Sequence, residues 1–195
     1  MDKFKDKVAL ITGGTKGIGR GIAEALLELG MNVAITSRNL TSAEKVAAEL
    51  SKGGKGKAIG VKADVRKMDS QVQAVDTVLK EFGKLDVLVA NAGLGHFAGI
   101  SDMTADEWQE TIDTNLTGVF FSVKAALNEL KKSKGYIFTI SSLAGTNFFA
   151  GGAAYNASKF GVTGFTQAIM LDLRQDDVKV STIMPGSVAT HFNGN

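Results

Sequence analysis

Apolar residues along this chain follow two alternating spacings. Six short stretches, residues 8–12, 32–36, 57–62, 85–90, 135–140 and 178–184, have nearly all-apolar interiors rich in β-branched side chains. Runs of that length predict strands covered on both faces, as in parallel sheets. Between them, apolar positions recur at helical spacing. Ile18, Ile22, Ala25, Leu26 and Leu29 form one such stripe, with Gly30 placed to stop the helix. Thr41 with Glu44, and Thr104 with Glu107, each have the spacing of a capping box. Asp69 is placed to cap a helix whose apolar face is Val72, Val75, Val78, Leu79 and Phe82. Strand and helix alternate throughout, without a linker, repeat or low-complexity segment. Parallel strands need helical crossovers on both faces. The pattern therefore predicts an α/β fold, a doubly wound parallel sheet of the Rossmann type with six strands in a single domain spanning 1–195. Such sheets bind ligands beyond the carboxyl ends of their strands, which places the expected chemistry in the loops that follow them.

Composition acts mainly by exclusion. Hydrophobic residues make up 44% and charged residues 22%, the usage of a globular domain rather than a disordered one. Lys and Arg number 22 against 20 Asp and Glu, which leaves no field to drive nucleic-acid or membrane binding. No apolar run approaches the ~20 residues of a membrane helix, and the charged start from Met1 to Lys7 is unlike a signal peptide. The absence of cysteine removes disulfides, thiolate nucleophiles and Cys-based metal sites, and it points to a reducing, cytoplasmic setting. Two scattered histidines, His96 and His191, with no clustered carboxylates, offer no metal-ligand set.

The first strand runs into Thr12-Gly13-Gly14-Thr15-Lys16-Gly17-Ile18-Gly19 and then a helix. Glycines let backbone approach a pyrophosphate, and a helix N-terminus supplies amides and a positive dipole end. The spacing is neither the general G-x-G-x-x-G nor a P-loop, but strand–turn–helix context favours a dinucleotide. An NAD binder usually carries Asp or Glu at the end of strand two, roughly 20 residues after the glycines. This chain has Thr36-Ser37-Arg38-Asn39 there, with no carboxylate. Arg38 can pair with a 2′-phosphate and Lys16 can approach the same anion, so NADP(H) is expected in preference to NAD(H).

Tyr155 and Lys159 stand four residues apart in a helical segment, one turn apart on one face. A phenol with an ordinary pKa of about 10 is a poor acid–base catalyst at neutral pH, and a neighbouring ammonium stabilises its anion. Thirteen residues before Tyr155, where strand five should end, Ser142 can donate to a developing oxyanion. A nucleophilic-serine reading lacks a G-x-S-x-G elbow, and neither histidine sits in a motif.

With these residues in place the chain resembles the short-chain dehydrogenase/reductase family, in its compact form, over essentially its whole length. It is similar in the glycine pattern from Thr12 to Gly19, in Asp64-Val65 after strand three, and in Asn91-Ala92-Gly93 after strand four. It is also similar in Asn115, Ser142, Tyr155 with Lys159, and Pro185-Gly186 followed by Thr190. The resemblance implies an oxidoreductase in which Tyr155 is general acid in carbonyl reduction and base in the reverse direction. Lys159 would hold the nicotinamide ribose and lower the tyrosine pKa. Ser142 would polarise the substrate carbonyl, and Asn115 would fix a helix kink whose backbone carbonyl supports a proton-relay water. Gly13, Thr15, Lys16, Gly17, Ile18 and Gly19 would form the phosphate loop. Asp64 would accept from the adenine amino group with the Val65 amide beside it, next to Asn91, Ala92 and Gly93. Val188 and Thr190 would fix the carboxamide, with Pro185-Gly186 setting the turn.

Two departures stand out. The family commonly reads Asn-Asn-Ala-Gly after strand four, whereas this chain has Ala90-Asn91-Ala92-Gly93. Family members also continue past the Pro-Gly turn with a substrate-covering segment, a further helix and a seventh strand. This sequence ends at Asn195, so strand six is expected at the sheet edge unless a longer parent chain continues past it.

The substrate is expected to be a small carbonyl compound or alcohol. Phe97, Leu143, Phe148 and Phe149 lie in the substrate-side loops, where they suit an apolar or acyl group or, equally, a core or dimer contact. The architecture resembles that of 3-oxoacyl-acyl-carrier-protein reductases. A sugar, steroid or small-alcohol dehydrogenase is the alternative, and a non-catalytic NADP-binding sensor is the reading from another class. Helices near 106–130 and from Tyr155 onward read as apolar nearly all round, which predicts a second covered surface and a homodimer or homotetramer.

Overall fold

The computed structural model describes residues 3–189 and follows the predicted alternation. In chain order it runs β1 (Val8–Ile11), α1 (Gly17–Glu28), β2 (Asn32–Ser37), α2 (Leu40–Gly53), β3 (Ala58–Lys62) and α3 (Met68–Phe82). It continues with β4 (Val87–Ala90), α4 (Ala105–Ile112), α5 (Gly118–Ser133), β5 (Tyr136–Ile140), α6 (Ala153–Asp172) and β6 (Lys179–Ile183). All six strands lie within a residue or two of their expected spans. They pair in parallel in the order β3-β2-β1-β4-β5-β6, with β1 in register between β2 and β4 (Leu10 beside Ala34 and Leu88). The chain winds outward from β1 and then returns to β4, so the order reverses between these two strands. That is where a doubly wound sheet opens a ligand crevice.

The all-apolar strands are explained by burial on both faces. Helices α3, α5 and α6 cover one side, where Leu10, Leu85, Leu88 and Ile137 meet Val75, Val78 and Leu130. Helices α1 and α2 cover the other, where Ile11, Ile35 and Val89 meet Leu27 and Leu50. Beneath β1 and β4, the nearly buried Asp86 accepts from the Val8 amide at 2.9 Å and from Lys7 Nζ at 2.7 Å. No helix among the described residues is long and apolar enough to cross a membrane.

Several local expectations are corrected. The Thr104–Glu107 capping box forms in both directions, at 3.2 and 3.0 Å. The Thr41–Glu44 box does not, because Asn39 caps α2 by accepting from the Ser42 amide at 2.9 Å and Thr41 falls inside the first turn. Lys67, not Asp69, occupies the N-cap of α3. Asp69 stands in the first turn instead, where its charge still complements the helix dipole. The helix expected over 106–130 is interrupted: Asp113–Thr117 forms a π-helical turn between α4 and α5. The side of α6 turned inward is polar, with Asn156, Ser158, Lys159, Thr163 and Thr166 buried. Ala154 and Val162 are buried among these polar groups, whereas Phe160, Met170 and Leu171 are 44%, 46% and 68% exposed, so part of the apolar surface of α6 is left outward.

Candidate active site

The glycine loop lies where the crevice opens, and its shape depends on missing side chains. Gly13 has φ +66°, and a Cβ there would stand 2.9 Å from the Ala92 Cα. A Cβ on Gly19 would stand 2.5 Å from both the Gly13 carbonyl and Asn91 Nδ2. The loop is tied to the one after β4: Thr12 Oγ1 accepts from the Asn91 and Ala92 amides, both at 3.0 Å. Asn91 Nδ2 in turn donates to the Thr12 and Gly13 carbonyls at 2.9 and 3.0 Å. Asn91 therefore acts as a strut for the loop. Helix α1 starts at Gly17 with no side-chain cap and no acidic residue in its first turn. Its leading amides, which lack intrahelical partners, are placed to meet an anion.

The loop walls a cleft of about 650 Å³. Thr15, Lys16, Gly17 and Ile18 line one end with Arg38, Asp64 and Val65; Ala92, Gly93, Pro185, Gly186 and Val188 line the rest, with Ser142, Tyr155 and Lys159. Gly19 packs behind the loop rather than lining the cleft, and Asn115 lies beside it. Thr190 lies outside the described residues. A narrow cradle closed by glycines, a helix N-terminus and two cations fit a dinucleotide phosphate.

Asp64 is held by a residue the sequence reading passed over. Arg66 grips its carboxylate with Nε at 3.0 Å and NH2 at 2.8 Å, and the Arg66 amide adds a third bond at 3.0 Å. The Arg66 side chain holds the Asp64 carboxyl below its ordinary range, against a smaller opposing effect of burial. Arg66 also reaches Glu110 at 3.3 Å, and Glu110 pairs with His96 Nε2 at 2.9 Å. His96, in no motif, thus ties the loop after β4 to α4. The two-residue spacing of Asp64 and Arg66, typical of an Asx-turn, was the one local signal available.

The catalytic candidates come from three elements. Ser142 follows β5 at the start of a short 3₁₀ turn, Leu143–Gly145, where its Oγ accepts from the Ala144 amide at 3.1 Å. Tyr155 and Lys159 lie one turn apart on α6. Burial pushes the Tyr155 phenol up, and a hydrogen bond with Ser142 pulls the other way. Lys159 is buried; its Nζ donates to the Ile140 carbonyl at 2.9 Å and stands 5.6 Å from the Tyr155 ring centroid. Burial lowers the Lys159 ammonium to about 8. The anticipated lowering of the tyrosine pKa by Lys159 is therefore not seen here: the phenol is raised, and Ser142 supplies the counteracting pull.

Asn115 sits within the π-helical turn and is fully buried. Its Oδ1 accepts from the Leu94 amide and its Nδ2 donates to the Leu94 carbonyl, both at 2.8 Å. A third bond, at 3.1 Å, runs from Nδ2 to Ser158 Oγ on α6. The expected helix irregularity is thus present, and it joins the loop after β4 to the helix bearing Tyr155. Ser158 was another residue that local spacing did not single out. Among the described residues no group of three His, Asp or Glu side chains gathers as a metal site.

The chain as a whole is similar to known proteins. The family model described as short chain dehydrogenase matches residues 7–195. The chain is 40% identical to trans-4-hydroxycyclohexanecarboxylate dehydrogenase of Sinomonas cyclohexanicum over 194 residues, covering 97% of this chain and 75% of that one. It is also 40% identical to a 3-oxoacyl-[acyl-carrier-protein] reductase of Synechocystis over 197 residues, covering 100% and 79%. The structure of an alcohol dehydrogenase from Thermococcus sibiricus, complexed with 5-hydroxy-NADP, superposes with a TM-score of 0.92 at 34% identity, covering 96% and 79%. With the glycine cradle, the Ser142–Tyr155–Lys159 cluster and these likenesses agreeing, the chain belongs to the short-chain dehydrogenase/reductase family.

Proposed function

We propose that the protein is an NADPH-dependent reductase that converts a carbonyl to an alcohol, with Tyr155 as general acid and, in the reverse direction, as general base. The observation that carries this reading is the hydrogen bond between Ser142 and Tyr155, both lining the glycine-walled cleft, with the Lys159 ammonium buried beside them. The cofactor would supply the hydride. The α1 amides and the loop from Gly13 to Ile18 would hold its pyrophosphate, Arg38 and Lys16 a 2′-phosphate, and Asp64 with Val65 the adenine. Lys159 would hold the nicotinamide ribose, and Val188 with Thr190 the carboxamide. Ser142 orients the substrate oxygen toward the phenol, which would give its proton to that oxygen. Asn115 holds the π-helical turn open beside this group, where the backbone supports a relay water.

A 3-oxoacyl thioester is the first-choice substrate, supported by the likeness to the Synechocystis enzyme. A dehydrogenase of a ring or other small alcohol is the second, supported by the likeness to the Sinomonas enzyme. We also propose a homodimer or tetramer in the cytoplasm, from the outward apolar residues of α5 and α6 and the lack of cysteine. Turnover of acyl thioesters, ketones and alcohols with NADPH or NADP tests the reading. Tight NADPH binding without turnover of any of them would make the protein a cofactor sensor instead.

A further inference from the structure

Asn156, the residue after Tyr155, has no role in the reaction described above, yet its side chain is buried and fully engaged. Its Nδ2 donates to the carbonyls of Ala144 and Asn147, both at 2.8 Å, and its Oδ1 accepts from the Phe149 amide at 3.4 Å. One amide thus satisfies three backbone groups of an irregular loop that has no strand or helix partner to do so. The loop is fitted to it. A Cβ on Gly152 would stand 2.5 Å from Asn156 Oδ1 and 2.6 Å from the Phe149 ring, so both close over that glycine. A parallel bridge from Ala98 to Gly152, with the Ala98 amide donating to the Gly151 carbonyl at 3.0 Å, joins this loop to the one after β4.

The outcome is an aromatic wall against the candidate acid. The Phe149 and Phe97 rings lie 5.9 Å apart, and Phe97 meets the Tyr155 ring edge-on at 5.4 Å and 60°. Phe97 and Phe149 are 45% and 47% exposed, so both rings of the wall remain partly open to solvent. Neither carries a charge or a hydrogen-bonding group that would reward a sugar hydroxyl or a carboxylate.

We propose that Asn156 is a positioning residue that holds the Phe149–Phe97 wall beside Tyr155, and that the wall selects carbonyl compounds bearing an uncharged, apolar ring next to the reacting carbon. This rests on the reductase reading and, within it, favours a ring-bearing substrate over the unbranched acyl thioester. Ring contacts of this kind are worth about fivefold in binding.

Two esters that differ by a ring test it: ethyl acetoacetate and ethyl benzoylacetate, each reduced with NADPH. Asn156→Ala should raise KM for the phenyl ester about fivefold with kcat within twofold, and leave both constants for ethyl acetoacetate within twofold. Phe97→Leu, at a half-exposed position that folding tolerates, should weaken the same preference. Amide exchange at Phe149 should quicken at least tenfold in Asn156→Ala. A KM change shared equally by both esters, or none while exchange quickens, would make Asn156 merely structural and overturn the proposal. If the parent turns over neither ester, the reductase reading loses its support for these substrates, and calorimetric affinities for the two esters on the NADPH complex carry the same comparison. Equal affinities for the two esters there would overturn the wall independently.

Discussion

Lys159 Nζ donates to the carbonyl of Ile140, the last residue of β5, at 2.9 Å. This bond ties α6, which carries Tyr155, to the strand that delivers Ser142. It also buries an amine whose pKa falls to about 8.

The sign of the resulting pH dependence follows from linkage. The folded-state value lies below the ordinary one, so between about 8 and 10.5 the unfolded chain binds more protons and stability rises with pH. Below about 8 both states are protonated and the folded state carries the whole penalty of burying the charge, on the order of 3 kcal/mol. Urea unfolding of cofactor-free protein should show stability increasing from pH 7.5 to 9.5. Lys159→Met should flatten that increase. Parallel pH profiles for parent and variant would show that Lys159 is not the group responsible.

Tyr155→Phe keeps the ring that packs on Phe97 and removes the proton donor. Carbonyl reduction should drop by at least ~10²-fold while NADPH affinity is retained. A variant as fast as the parent excludes Tyr155 as the acid.

Ser142 supplies the pull that opposes the upward shift of the phenol. In the alcohol-oxidation direction the phenolate is the base, so kcat/KM for oxidation should climb with pH. Ser142→Ala should move that limb to higher pH as well as lowering the rate. An unmoved limb in the slower variant would assign it to another group.

Arg38 lies at the end of β2 on the cleft, close enough to Asp64 to favour its ionised form. Arg38→Asp removes a bidentate phosphate partner and introduces an acceptor for ribose hydroxyls. Binding titrations should then reverse from NADPH to NADH preference. Tighter NADH binding by the unsubstituted protein would contradict the assignment.

The outward face of α5 and α6 carries Phe120, which stacks edge-on with Phe165 at 6.2 Å, as well as Phe160, Met170 and Leu171. Sedimentation at micromolar concentration should give a dimer or larger. A species near 20 kDa at every concentration would place these residues against solvent.

What the sequence determined by itself was whatever local spacing encodes. Apolar runs of strand length fixed six parallel strands, because only strands covered on both faces can be so uniformly apolar. The Thr104–Glu107 box was legible because both partners lie within one turn. Tyr155 and Lys159 were legible for the same reason. The N-caps of α2 and α3 lie two residues before the expected Thr41 and Asp69, at Asn39, whose side chain caps the helix, and at Lys67, whose side chain does not. Tertiary structure decided the rest. Asn115 bonds Leu94 and Ser158, which are 21 and 43 residues away, and that arrangement accompanies a π-helical turn in what reads as one helix. Ser141 Oγ donates to the Lys159 carbonyl and Thr139 meets Thr166 at 2.8 Å, so α6 lies on β5 through a buried polar seam. Periodicity assumes that the buried side of a helix is its apolar side. On α6 the buried side carries polar groups as well as Ala154 and Val162, because each buried polar group finds a partner that only the assembled fold brings within reach.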